Sequence, residues 1–153
     1  VARGRTCRFE FDPFKATGAE LPDKSDKKDA LEEAAKFLRE QVLEHMGAQK
    51  SPVAGYGSFP KLSKEYAKRK RAAGHSPVPN LEFDGDLKDA IKVYPKGNRL
   101  VIEVTGAEGA KADGHCNLSG DSSLPLRRFI PGDGEQFKTP ILQGIGRIIK
   151  TGG

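Results

Sequence analysis

The sequence predicts an α+β fold: one domain over residues 1–153, with a small antiparallel sheet packed by a long N-terminal helix, a short basic helix and a C-terminal helix. Three patterns predict it. Ala30, Leu31, Ala34, Ala35, Leu38, Val42 and Met46 recur at three- and four-residue steps, the apolar stripe of one helix face. Leu100, Ile102 and Val104 alternate with Arg99, Val101 and Glu103 behind the turn Pro95-Lys96-Gly97-Asn98, as in a β-hairpin. Thr139-Pro140 opens a second apolar periodic run, with Thr139 as its cap and Pro140 at the first helical position.

Taken in chain order, Arg5 to Phe11 is a half-buried strand, because Cys7, Phe9 and Phe11 alternate with polar residues. Asp12-Pro13 ends it, and residues 14–24 form a polar connector. Ser25 or Asp26 caps the long helix with a side-chain oxygen. Asp29 puts negative charge in its first turn, where the helix dipole favours it. Lys28, Glu32, Lys36, Arg39 and Glu40 fill its polar side, and Gly47 supplies the stop. Gly47 to Pro60 holds three glycines and two prolines and reads as an ordered loop. Ser63 opens a short helix closed by Gly74. Six basic residues lie between Lys61 and Arg71, against one acid, Glu65. After the connector His75 to Pro79, Asp84-Gly85-Asp86 marks a turn, Leu87 to Ile91 a helical turn or two, and Lys92 to Thr105 the hairpin.

Gly106 to Ser123 is eighteen residues with four glycines. Structureless loops beyond about 12–15 residues usually have a task, so this one is expected to order against a partner. Leu124 to Ile130 is expected to be a last strand, broken by Pro131-Gly132. In the terminal helix Phe137, Ile141, Leu142, Ile145, Ile148 and Ile149 form the buried side. Gly144 and Gly146 each weaken that helix by roughly 1 kcal/mol relative to alanine, which close packing against a neighbour would explain. No internal repeat or low-complexity stretch interrupts the chain.

Composition narrows the class. A chain of 153 residues buries roughly 70% of its unfolded surface and needs no disulfide or metal to fold. Its hydrophobic fraction is 36%, with no tryptophan, so a modest core under much polar surface is expected, and an oligomer would hide surface that the core cannot. The net charge of +5 permits nucleic-acid contact without demanding it. Cys7 and Cys116 stand far apart with no C-x-x-C pairing, which suits free thiols in a reducing compartment. No apolar run approaches the roughly 20 residues that span a membrane. Val1 to Phe11 is charged and lacks the apolar centre of a signal peptide, so a soluble chain made in the cytoplasm is expected.

No residue pattern points to catalysis or a cofactor. His45, His75, His115, Cys7 and Cys116 lack zinc-site spacing, and His115 reads as a polar loop histidine beside a buried thiol. Ser119-Gly120-Asp121-Ser122 lacks the G-x-S-x-G nucleophile elbow. The pairs Asp84/Asp86 and Asp133/Glu135 flank glycines and are explained as turn formers. Gly55-Tyr56-Gly57 and Gly106 to Gly109 lack the G-K-[ST] of a phosphate loop. The basic helix has two meanings besides a solvated face. Lys68, Arg69, Lys70 and Arg71 can meet phosphate with release of counterions, although Tyr66 alone is a poor stacking platform. They can equally meet an acidic protein.

Gly57-Ser58-Phe59-Pro60-Lys61-Leu62-Ser63-Lys64-Glu65-Tyr66-Ala67-Lys68-Arg69-Lys70, then Leu81-Glu82-Phe83-Asp84-Gly85-Asp86-Leu87-Lys88-Asp89-Ala90-Ile91, a hairpin, the loop His115 to Gly120, and Leu124-Pro125-Leu126-Arg127-Arg128-Phe129-Ile130-Pro131 follow one another in order. This succession, over roughly Asp26 to Lys150, resembles the phage virion morphogenesis family, the tail-completion proteins of Mu-like and related contractile-tailed phages. The chain departs from the family pattern at Asp84, where threonine is usual, and in H-C-N-L-S-G, where H-Q-x-G is usual. The resemblance implies an α+β domain whose antiparallel sheet is often barrel-like. It implies a virion structural protein, made in the host cytoplasm and built into a homo-oligomeric ring, a hexamer or dodecamer, at the head–tail neck or tail terminus. Its neighbours would be a connector, head-closure protein, tail terminator or tube, with contact to packaged DNA also open.

A ring needs two unlike faces on each subunit. The acidic-leaning helix Asp26 to Glu44 and the basic helix Lys61 to Arg71 are expected to meet between neighbours. Lys64, Lys68, Arg69, Arg71, His115, Arg127 and Arg128 are the candidate partner-binding residues, the last two because arginine is enriched at interfaces. Ring subunit, nucleic-acid-binding module and enzyme remain the three classes to separate.

Overall fold

The computed structural model describes residues 7–22, 26–59, 68–69, 71–72, 89–105, 109, 112, 116 and 127–152. Their elements are β1 (Cys7–Phe11), α1 (Pro13–Thr17), α2 (Lys27–Gly47), β2 (Lys92–Lys96), β3 (Arg99–Val104) and α3 (Thr139–Thr151). The fold is α+β. The three strands form an antiparallel sheet in the order β1-β3-β2. The sheet is open, which corrects the barrel-like expectation: β1 and β2 each pair with β3 and leave one edge outside it. Pro95, which has no N–H to donate, lies in the edge strand β2, where a missing donor costs no ladder bond.

Register follows the side-chain alternation. Cys7 faces Val104, Phe9 faces Ile102 and Phe11 faces Leu100, so the apolar set of β1 meets that of β3 on one face. Gly97 turns the hairpin at φ +60°, a left-handed conformation natural to glycine. Val101 departs from expectation. It sits on the outer face yet is fully buried. Its cross-strand partners are Glu10 and Tyr94, and that face carries a polar lattice: Arg8 and Arg99 pair with Glu10 at 2.8 and 3.2 Å, and the Tyr94 hydroxyl donates to Glu103 at 3.1 Å.

The long helix buries the seven residues expected of it. Of the two candidate caps, Asp26 is the one used: its carboxylate accepts from the amides of Lys28 and Asp29 at 2.8 and 3.4 Å. Gly47 is the last helical residue, and the left-handed position falls instead on Gln49 at φ +62°. Two backbone bonds hold Gln49 there: its amide donates to Met46 at 3.0 Å, and its carbonyl accepts from Phe59 at 2.7 Å. The stretch after β1, expected to be a polar connector, holds a short helix. Asp12 accepts from the amides of Phe14 and Lys15, Pro13 begins α1, and Gly18 ends it at φ +69°. Asp-Pro is a cap followed by a first helical residue, so the signal was present.

Two further expectations change. Arg127 to Ile130 do not form a strand. Side chains meet two of their backbone groups: the Phe129 amide lies 3.5 Å from Cys116 Sγ, and the Arg128 carbonyl accepts from Ser51 Oγ. Within Gly106 to Ser123, the described residues Gly109, Ala112 and Cys116 are helical and buried at three- and four-residue spacing. Ala112 and Cys116 belong to the main core, so these described positions are packed within the chain.

In α3, Thr139 is the first helical residue rather than the cap, and no side chain caps it. Its two glycines differ in purpose. A Cβ at Gly144 would lie 2.2 Å from the Phe37 ring of α2, whereas one at Gly146 would meet only Thr17 of α1, at 3.4 Å. Gly144→Ala is therefore expected to destabilise the fold by about 1–3 kcal/mol through overpacking, and Gly146→Ala to leave it unchanged or up to roughly 1 kcal/mol more stable. Urea denaturation of the two variants separates them. Equal losses would show that Gly146 is also held by packing.

Candidate functional site

Among the described residues, one well-connected polar cluster joins three segments distant in sequence. The first is residues 50–59, folded back on itself by a bridge between Lys50 and Ser58 and tied to Phe137 by a bridge from Val53. Ser51, 1% exposed, donates from its hydroxyl to the Arg128 carbonyl and accepts from the Val53 amide at 3.1 Å. The Ala54 amide reaches Gln136 at 2.8 Å, and the Lys138 amide reaches Pro52 at 2.9 Å. These bonds lay Tyr56 across the second and third segments, Arg127 to Ile130 and Gly132 to Phe137.

Arg128 lies at the centre. Its Nε donates to the Cys116 carbonyl at 2.7 Å. Its Nη1 donates to Glu135 at 2.6 Å and to the Tyr56 hydroxyl at 2.7 Å, while the guanidinium lies over the Tyr56 ring at 5.1 Å. The Tyr56 hydroxyl donates to the second Glu135 oxygen, and the Gly132 amide donates to the first at 2.7 Å. A turn with Gly134 at φ +75° presents that carboxylate.

Titration follows from these contacts. Burial works against the Glu135 carboxylate, but hydrogen bonds from Tyr56, Gly132 and Arg128, with the Arg128 charge, outweigh it and hold the group below its ordinary value. The hydrogen bond to Glu135, followed by burial, pushes the Tyr56 phenol up against the opposing pull of Arg128. A carboxyl held low stabilises the fold above its unfolded value, and that contribution is lost as pH falls through the lowered folded value. Acid denaturation of the wild type is therefore expected to draw on Glu135. In Glu135→Gln the loss of stability as pH falls from the ordinary carboxylate range should be smaller. An unchanged slope would place the acid sensitivity elsewhere.

The candidate partner-binding residues separate into three groups. Lys68, Arg69 and Arg71 are exposed and, with Ala72, helical, as expected of the basic helix. Arg127 and Arg128 point inward: Arg127 is 5% exposed and the Arg128 side chain 13% exposed, and Arg128 serves the clasp just described. Lys64 and His115 lie outside the described residues. Tyr56, Ser51 and Glu135 were not among the candidates. Glu135 was legible as half of a charge pair with Arg128 across the Pro131-Gly132 break, but nothing local points from Tyr56 to either.

Among the described residues, no cluster of three or more histidine, cysteine, aspartate or glutamate side chains could hold a metal ion, and no helix is long and apolar enough to cross a membrane. No protein-family model, curated protein or solved structure matches the chain significantly.

Proposed function

We propose that this chain is an assembly protein without catalytic activity, a subunit of an oligomeric ring at the head–tail neck or tail terminus of a bacteriophage virion. The supporting observation is the use of its polar side chains. Among the described residues, Tyr56, Arg128 and Glu135 bond to one another and tie segments together, while the acids of α2 and the cations Lys68, Arg69 and Arg71 are exposed. The order of motifs that resembles the virion morphogenesis family supplies the virion setting, and the open sheet beneath a long helix is compatible with it. Sedimentation velocity and negative-stain electron microscopy of the purified chain test the reading. Closed rings of uniform subunit number are expected, and a monomer at every concentration overturns it.

The exposure of Lys68, Arg69 and Arg71 favours one second reading, a nucleic-acid-binding module. It predicts affinity for duplex DNA that falls linearly in log K against log salt, with a slope reduced in Lys68→Ala/Arg69→Ala/Arg71→Ala. A ring subunit that contacts only protein has no such slope.

A further inference from the structure

Helix α3 lies between α2 and α1. Gly144 faces Phe37 of α2 and Gly146 faces Thr17 of α1, and two residues are about 200° apart around a helix axis. The α1–α3 side opens as a groove of about 590 Å³, with Ala16 and Thr17 on one wall and Leu142 and Gly146 along its base. Arg147 and Lys150 line it, both exposed, and among the described residues no carboxylate does. Neither cation has an ion pair among the described residues. Gly146 leaves room in the groove that the fold itself does not require, since a Cβ there meets Thr17 only at ordinary contact distance.

The opposite charge lies along α2. Asp29, Glu33, Glu40 and Glu44 are exposed and spaced by four, seven and four residues, a line on the side away from Leu38, with Lys36 the one cation among them. At 1.5 Å per residue this line runs roughly 22 Å. The groove opens on the α1 side of α3, away from the α2 that α3 packs against. One chain therefore carries the two complementary faces on different sides. Two such unlike faces make a head-to-tail contact rather than a two-fold one.

We propose that the α1–α3 groove of one copy receives the acidic face of α2 from the next copy, with Arg147 and Lys150 meeting Glu40 and Glu44. This rests on the ring reading and names its subunit contact, in place of the basic segment around Lys68. The exposed cations and carboxylates make the contact sensitive to salt.

Charge swapping tests it. Arg147→Glu/Lys150→Glu and Glu40→Lys/Glu44→Lys are each expected to weaken self-association by roughly tenfold or more, because like charges then face one another. Mixed one to one, the two variants should assemble in alternation, since each then offers the other a complementary face on both sides. Sedimentation velocity reads the assembly, and thermal melts verify that both variants keep the wild-type fold. Variants that assemble as well as the wild type, or a mixture that shows no rescue, overturn the contact and leave the ring reading standing. Dissociation by Lys68→Glu/Arg69→Glu/Arg71→Glu alone moves the contact to the basic segment. A wild-type chain that never associates overturns both.

Discussion

Arg128→Ala is expected to destabilise the fold by about 3 kcal/mol or more, the lower part of the range for breaking a buried ion pair from one side. The cause is what the truncation leaves behind. The Cys116 carbonyl loses a 2.7 Å donor, and Glu135 keeps the Tyr56 hydroxyl and the Gly132 amide but loses its counter-charge. Arg128→Lys should recover little. One ammonium cannot supply the Nε donor to Cys116 and the Nη1 donor to Tyr56 and Glu135 in the same plane, and it loses the flat face that lies over Tyr56. Arg128→Met with Glu135→Leu removes both charges and should cost less than either Arg128→Met or Glu135→Leu alone, since neither charge then remains buried without the other. Chemical denaturation of the singles and the double gives the coupling directly. Additive losses would mean that the Arg128 side chain acts through the Cys116 carbonyl, with Glu135 a bystander.

The clasp also marks where sequence reading stops. Periodicity is a local signal, and wherever one element buries one face it was sufficient: the stripe from Ala30 to Met46 and the strand pairing of Leu100, Ile102 and Val104 follow from residues a few positions apart. It failed where backbone groups are satisfied by distant side chains. Arg127 to Ile130 have strand-like composition, but Ser51 and Cys116, 77 and 13 residues from their partners, take the bonds a neighbouring strand would supply. It failed again at Gly109, Ala112 and Cys116, where small residues and glycines masked a helical, buried spacing. Arg127 and Arg128 illustrate the same limit in the candidate site. Composition says that arginine favours interfaces, but whether that interface is with another chain or within this one depends on Tyr56, 72 residues away from Arg128.

Phe137→Ala should destabilise the chain by about 3–5 kcal/mol, a loss comparable with the whole stability of a marginal domain. Phe137 is 1% exposed and closes a three-ring cluster, edge-on to Phe9 at 5.9 Å and tilted against Phe11 at 6.0 Å, while those two stack at 5.7 Å. Its backbone bridges Val53, and the next amide, Lys138, reaches Pro52. The Phe137 side chain thus fastens strand β1, while the backbone around it fastens the folded segment 50–59 ahead of α3. Phe137→Leu keeps most of the apolar volume and should cost less than half as much. For a domain of this size the alanine variant should melt on the order of 10 °C lower. The comparison with the charge variants then separates stability from assembly. Phe137→Ala is expected to lower the melting temperature and self-association together, because α3 carries Arg147 and Lys150 and loses its anchor. Arg147→Glu/Lys150→Glu should lower self-association at an unchanged melting temperature of the monomer. If Phe137→Ala melts like the wild type, the aromatic cluster is not what attaches α3 to the sheet.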